Sequence, residues 1–470
     1  MIVTALVLVP ILAGLALYAL PAKSWTAARA AAAAVGGLSA LAILADPHAP
    51  DATMRWLSRP FEANFHLGYG PVSYWLVLLL AVATFSSALA IAGSRARTMA
   101  AQLLILQGAM TGLFLAKDLL LFALCWDLML IPVFLVLLQS ATYVRVAWKY
   151  LIYNLVGGLA LLLATAAFGV LAGTTDVIGD PSKTVAIGAA WGAWIFAGFA
   201  FAFAVKTPVW PFHTWMPDTY TELPPPFAAV VSAVQSKGGL YGFLVIGLPF
   251  LAPQMAGART IAFALGIVAL LYGAFVALTE RDVKRILAYS SLSHLGLILL
   301  AVFSGSALAL AGAAVYLVAH GFFSAAGFLA LGFVEAREET RDVTRLGGLG
   351  ARNPRLAGGL LLPALAALGL PGLAGFAVEI LILTGLFKAG YTWPALIALV
   401  PVVLASAYML RLYQGVMNGP PLPDLPERRD LTWLEGAALA PLVLALIWLG
   451  INPSAVAALA AEAHRVVGIR

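Results

Sequence analysis

Residues 201–218 read FAFAVKTPVWPFHTWMPD. Lys206 follows about twenty uncharged residues, and Pro208 and Pro211 then rule out a regular helix. Neither feature helps a hydrophobic segment fold, so both require a purpose. The surroundings make the question sharper. The chain has 470 residues, 62% of them hydrophobic and only 10% charged, with a mean hydropathy of +0.97. Soluble domains carry about a quarter charged residues. Here apolar runs of roughly 18–25 residues recur, each long enough for a hydrocarbon core of about 30 Å. They lack the alternation of a membrane barrel.

The expected class is therefore an all-α polytopic membrane protein, a single integral domain over 1–470. About fourteen transmembrane helices can be read: 2–20, 25–45, 71–93, 98–116, 119–139, 147–172, 186–206 with its continuation, 226–251, 259–278, 285–304, 306–334, 355–387, 391–415 and 433–451. Polar connections such as DPHAPDATMRWLSRPFEANF, TERDVKR, EAREETRDVTR and PPLPDLPERRD separate them.

The net charge of +6 is not read as a nucleic-acid signal, because Lys and Arg gather in cytoplasmic loops of membrane proteins. Placing the N-terminus outside assigns 17 Lys and Arg to inner loops and 8 to outer ones, so both termini are expected outside. The single cysteine, Cys125, excludes an internal disulfide and a thiolate-held iron–sulfur cluster. The apolar start lacks the basic region of a cleavable signal peptide and is long enough to span.

A second interrupted segment, LLLPALAALGLPGLAGFAVEILIL, carries Gly369, Pro371, Gly372 and Gly375. Two blocks of nearly equal length, 97–251 and 258–416, each contain one interrupted helix, between flanking segments 1–96 and 430–451. That layout points to inverted repeats around a site at membrane depth.

Four charges lie deep in the expected spans: Asp127, Lys206, Lys237 and Glu379. Each costs about 2.5–3.5 kcal/mol at the bilayer centre unless it faces water or a partner. His294 and His320 join them. A structural ion pair is the competing reading for Asp127 with Lys206, an interhelical hydrogen bond for either histidine, and a packing kink for the breaks. Lys237 lies among Gln235, Ser236, Gly238 and Gly239, small or polar neighbours that admit water. Lys206, at the end of a half-helix, is expected to meet free carbonyls. Glu379, near the start of another, is expected to meet free N–H groups. Burial and a nearby carboxylate act in opposite senses on a lysine's hold on its proton. At an effective dielectric near 20, a carboxylate about 7 Å away contributes about 2.4 kcal/mol. Such groups suit proton transfer.

The stretches VKTPVWPFHTWMPDTYTELPPP, SAVQSKGGLYGFL, ERDVKRILAYSSLSHLGLI, VAHGFFSAAGFLALG and GLPGLAGFAVEILIL resemble the antiporter-like membrane subunits of respiratory complex I. The resemblance runs from about residue 95 to about 415. It implies fourteen helices, two inverted five-helix repeats and broken helices 7 and 12. It also implies a proton path through Asp127, Lys206, Lys237, His294, His320 and Glu379, with Pro208, Pro211, Pro371 and Gly372 at the helix breaks. Glutamate at the Glu379 position is the mark of the M-type branch. L- and N-type subunits and Mrp-type cation/proton antiporters usually carry lysine there.

Two positions depart from the family pattern: Asp127 stands for the usual glutamate, and Tyr220 for a usual histidine. The implied setting is the bacterial inner membrane, with lipid, protons and water and the L-like and N-like membrane-arm subunits as partners. No cofactor is expected on this chain; NADH, FMN, iron–sulfur clusters and quinone are implied for other subunits. The close alternative is a paralogue in an Mrp-type antiporter or a membrane-bound hydrogenase. A stand-alone solute carrier and a purely structural anchor are the more distant ones.

Overall fold

The computed structural model describes all residues except 22–23, 94, 180–187, 420–428, 453, 455–457 and 459–470. Lys23, Lys183, Arg428, Arg465 and Arg470 of the charge count lie outside the described residues, as does most of the PPLPDLPERRD connection. Helices dominate, and among the described residues ten are long and apolar enough to cross a membrane. Three shorter apolar helices accompany them, Ile2–Leu17, Ala190–Lys206 and Pro354–Ala367.

The first half runs α1 (Ile2–Leu17), α2 (Trp25–Ala45), a hairpin of β1 (Ala52–Leu57) and β2 (Ala63–Leu67), α3 (Pro71–Ala90), α4 (Ala96–Leu115), α5 (Leu119–Leu128), α6 (Leu130–Ser140) and α7 (Val144–Ala172). Next come α8 (Ala189–Lys206), α9 (Trp215–Glu222), α10 (Pro225–Val230), α11 (Lys237–Gly242) and α12 (Leu248–Thr279). Wide π-helical turns at Val231–Gln235 and Phe243–Gly247 flank α11. The backbone leaves helical geometry at Leu251 inside α12, between Pro249 and Pro253, which deny the helix two N–H donors. The second half holds α13 (Val283–Phe303), α14 (Ala307–Glu338), α15 (Leu349–Arg352), α16 (Pro354–Ala367), α17 (Ala374–Lys388), α18 (Thr392–Met417) and α19 (Trp433–Ile451).

α13 and α14 are buried almost along their whole length and form the spine. Around them α12 packs on α13, α14 on α17, α7 on α8, and α1 on α4. Small residues allow this closeness. A Cβ on Gly273 would meet the Ser293 nitrogen at 2.7 Å, and one on Gly296 the Leu270 nitrogen at 2.8 Å, so α12 and α13 touch backbone to backbone.

One element departs from the helical reading. The connection after α2 is an antiparallel hairpin, with Ala52 opposite Leu67 and Thr53 opposite His66. It is stitched to two other loops. Glu62 pairs with Thr174, and Leu67 with Ala116. Asp118 caps α5 through the nitrogens of Leu120 and Leu121 while accepting from Asn64 N at 2.9 Å and Thr175 Oγ1 at 2.8 Å. His66 completes the stitch, with Nδ1 at 2.6 Å from Asp176 Oδ1 and Nε2 at 3.2 Å from Asp51 Oδ2.

Both His66 nitrogens face carboxylates, so the doubly protonated ring alone satisfies both. The hydrogen bond to Asp176 is the largest influence and holds the His66 pKa above its ordinary 6.5, against the opposing effect of burial. A raised folded-state value means that this stabilisation is complete below the unfolded value and fades as pH climbs through the folded one. Amide exchange across residues 52–67, corrected for intrinsic pH dependence, should therefore accelerate as pH rises well above 6.5. The His66→Phe variant should lose that dependence. An identical corrected profile in both proteins contradicts the latch.

Candidate functional site

α8 stops at Lys206 because Pro208 and Pro211 cannot donate to a continuing helix. The last helical carbonyls before Lys206 are already taken. Thr207 N reaches Phe203 O at 2.8 Å, Val209 N reaches Ala204 O at 2.9 Å, and the Trp215 indole donates to Val205 O at 3.0 Å. The expectation that Lys206 meets free carbonyls is therefore corrected. A helical side chain also leans toward the N-terminus, away from those carbonyls. The buried ammonium instead lies 4.7 Å from the centre of the Trp126 ring and makes no hydrogen bond. This is a cation–π contact, strongest where water is absent.

Asp127 is the next residue along α5. Pro132, four residues after Leu128, leaves the Leu128 carbonyl without its usual donor, and α5 gives way to α6 at Met129. The carboxylate is partly exposed and lies against Gly158 of α7, where a Cβ would overlap it. Its Oδ1 is buried without a hydrogen bond. Asp127 and Lys206 sense each other electrostatically, yet the ammonium rests on Trp126 rather than on the carboxylate.

Lys237 opens α11 and is fully buried. Its ammonium donates to the Ser232 carbonyl. Ser232 lies in the π turn Val231–Gln235, and a widened turn loosens a carbonyl from the helical ladder. Gly238 and Gly239 serve packing. A Cβ on Gly238 would touch Trp126 at 3.6 Å and Lys206 Cγ at 3.9 Å, and one on Gly239 would collide with Phe203 O. The glycines thus bring α8 and its lysine beside Lys237.

His294 on α13 and His320 on α14 are buried, with ring centres 5.5 Å apart. Both sense Lys237 electrostatically. Neither ring closes a hydrogen bond, although the Ala367 carbonyl at the end of α16 faces His294. Tyr316 extends the row. Its ring lies 5.8 Å from His294, and its hydroxyl donates to Glu379 Oε1 at 2.7 Å.

Glu379 is buried and is the sixth residue of α17, beyond the first turn. The expected capping by free N–H groups is thus corrected to a hydrogen bond from Tyr316. Its Oε2 lies where a Cβ on Gly369 would come within 2.6 Å. Gly369 and Gly372, at φ +74 and +92, turn the chain between α16 and α17, with Pro371 between them. Gly375 belongs inside α17 rather than to the break, where its missing Cβ admits the Ala366 carbonyl.

The described order is Asp127, Trp126 with Lys206, Lys237, the two histidines, Tyr316 and Glu379. Sequence reasoning missed Tyr316 and Trp126. The signal for Tyr316 was available, because it precedes His320 by four residues and shares its helix face. Tyr220 is buried against Phe328, with ring centres 5.7 Å apart.

A charged network joins the ends of α7, α13 and α14 and the connections beside them. Lys149 meets Asp218 at 2.8 Å, and Arg285 meets Asp218 at 3.0 Å and Glu280 at 3.3 Å. Lys284 meets Glu335 at 2.6 Å, and Arg341 meets Asp282 at 3.2 Å. Lys149, Asp218, Glu222 and Arg285 line a polar depression of about 590 Å³. Among the described residues, no group of three or more His, Cys, Asp or Glu is placed to hold a metal ion.

Residues 116–405 match the family described as NADH:quinone oxidoreductase/Mrp antiporter, transmembrane region. The chain is 35% identical over 412 residues to NADH-quinone oxidoreductase subunit M of Rhodobacter capsulatus, covering 84% of this chain and 80% of that one. It is 35% identical over 376 residues to the Pseudomonas aeruginosa subunit M, covering 75% and 72%. In structure it resembles a chain of respiratory complex I from Thermus thermophilus with bound NADH. The TM-score is 0.89 at 30% identity, over 100% of this chain and 99% of that one. A chain of the Mrp complex from Dietzia sp. shares the fold, with TM-score 0.87 at 22% identity over 98% and 96%.

The glycine turn before α17 gives a direct test. Gly369→Ala forces a left-handed alanine, at about 1–2 kcal/mol, and also drives a Cβ into the Glu379 carboxylate. Gly372→Ala bears the backbone cost alone, since open space surrounds it. Both variants should unfold at lower temperature, and Gly369→Ala should lose further stability and displace the Tyr316–Glu379 bond. Equal thermal shifts contradict the packing described here.

Proposed function

The chain belongs to the NADH:quinone oxidoreductase/Mrp antiporter transmembrane family, and from that membership we propose that it is the M-type subunit in the membrane arm of a complex I-type enzyme. It is a proton-translocating subunit of the NADH:quinone oxidoreductase and an integral protein of the bacterial inner membrane. Its part in the enzyme is moving protons. NADH, FMN, iron–sulfur clusters and quinone belong to other subunits.

One observation carries the mechanism: Lys206, Lys237, His294, His320 and Glu379 are all buried in the helical interior, with Asp127 at the Lys206 end. A shift in the Asp127–Lys206 interaction changes how firmly Lys237 holds its proton. That proton passes by way of His294 and His320 to Tyr316 and Glu379. The breaks at Pro208 and Pro211, and at Pro371 and Gly372, supply redirected backbone at membrane depth, tolerated only inside protein or beside water. Glutamate at position 379, rather than lysine, favours the M-type place over the L-type, N-type and Mrp-type ones.

Fourteen crossings with both termini outside, as a single domain with inverted repeats over about 97–251 and 258–416, complete the proposal. A repeated capping device supports the repeats. Asp118 caps α5 and pairs with Asp176, and Asp282 caps α13 and pairs with Asp342. L-like and N-like subunits are the proposed neighbours along the arm.

Replacing Lys237 with Ala in the assembled enzyme should lower proton pumping and the coupled quinone reductase rate together, by about tenfold or more. Lys237→Arg keeps charge without giving up its proton and should fail likewise. Undiminished pumping at normal turnover in Lys237→Ala removes Lys237 from the path.

A further inference from the structure

We propose that a chamber between α13, α14, α16 and α18 holds one water molecule and gives the histidine pair a second, lateral proton entrance. The chamber is lined by Ser290, Ser291 and Ser324 together with Leu287, Phe323 and Gly327. It leaves about 10 Å³ for the centre of a water-sized sphere, which is room for one water. A water stays in such a place only when several polar groups hold it, and dry cavities are apolar ones. Here the walls from α16 and α18 are apolar, and the polar atoms come from serines of α13 and α14, with Ser324 as the one to hold the water. Ser324 is buried and its Oγ has no partner within the protein, so it needs one in the chamber. Ser290 Oγ lies 3.0 Å from Tyr408 Oη, and either oxygen can donate, so the pair can relay in both directions.

Position links the chamber to the histidines. Ser290 and His294 are four residues apart on α13, and His320 and Ser324 are four apart on α14. Both pairs therefore share a face at about 6 Å of axial rise. Phe323 lines the chamber and also packs on both imidazoles, 5.4 Å from His294 and 4.9 Å from His320. One aromatic ring thus separates water from the relay. On the far side, Leu287 lies against Gly327, where an added Cβ would come within 3.0 Å. Three residues before Leu287, the buried Lys284 pairs with Glu335.

The order is ion pair, leucine, hydroxyl chamber, phenylalanine, histidines. A proton arriving at the water from the Lys284–Glu335 end releases another from the same water to an imidazole once the Phe323 ring turns. The water is left neutral and the charge has advanced by one step. None of these hydroxyls belongs to the row already described.

This inference rests on the proposed histidine relay, and the experiment separates the two. Cryo-EM of the whole enzyme, at a resolution that shows ordered water, is expected to show density bonded to Ser324 Oγ and to Ser290 or Ser291. Ser324→Ala should lose that density and slow pumping roughly 2- to 10-fold, the factor set by one hydrogen bond, while the complex assembles normally. Ser324→Thr restores the hydroxyl and should recover the rate. A dry chamber, or full pumping in Ser324→Ala, overturns the lateral entrance alone. Undiminished pumping in Lys237→Ala overturns the relay that it would feed.

Discussion

Everything in the interior answers to one constraint: an ionisable group shut away from water must be held by whatever lies beside it. The molecule meets that demand with a different neighbour each time. An indole face receives Lys206, and a loosened carbonyl receives Lys237. A phenol donates to Glu379, and the two imidazoles stand against each other and Phe323. None of these groups is closed into a short ion pair. Buried pairs with excellent geometry are hard to open, because breaking one leaves a stranded charge at a cost of about 3–5 kcal/mol. Lys284 and Glu335, at 2.6 Å, form a close ion pair only at the edge of the bundle, where the carboxylate is partly exposed. The proposed path avoids clamps and keeps its members free to exchange protons.

The backbone obeys the same constraint in two chemistries. After α8, prolines remove donors and the carbonyls of Ala204 and Val205 find Val209 and Trp215, leaving the lysine to the aromatic face. Between α16 and α17, left-handed glycines turn the chain, and the absence of a Cβ at Gly369 makes the place for a carboxylate. One break ends beside a cation and the other beside an anion. The Asp118 and Asp282 caps recur in the two halves with the same local bonds, to nitrogens two and three residues on. A cap needs only a short side chain and two free N–H groups, so it survives where packing residues diverge.

Much of this was legible in sequence, for physical reasons. Apolar run length fixes helices well, and the expected segments at 25–45, 285–304 and 433–451 lie within a residue or two of α2, α13 and α19. Proline and positive-φ glycine mark interruptions because both act through local backbone alone. What failed depended on direction in space. Nothing local says that the Val205 carbonyl, just before Lys206, is claimed by an indole ten residues on. The side chain of Glu379 reaches across to α14, and only the fold brings Tyr316 there. Gly375 read as a breaker because composition cannot tell a turn from a close approach. The hairpin at 52–67 was hidden by its company: read as one polar connection between membrane spans, its alternation went unweighed.

Helical pitch then sets the scale of the proposed relay. Tyr316, His320 and Ser324 repeat every four residues on α14, as do Ser290 and His294 on α13, so successive polar groups on each helix stand about 6 Å apart along its axis. A direct proton hop needs heavy atoms about 2.7–3.0 Å apart. Side chains of this pitch fall short of one another by the length of one intervening hydrogen-bonded molecule. A row built on helices is therefore open unless water or a side-chain rotation closes it, and the ring of Phe323 stands where such a rotation matters. Rigid spacing and a movable closure together let a proton be held on one side before it is released to the other. A continuous hydrogen-bonded wire would leak instead.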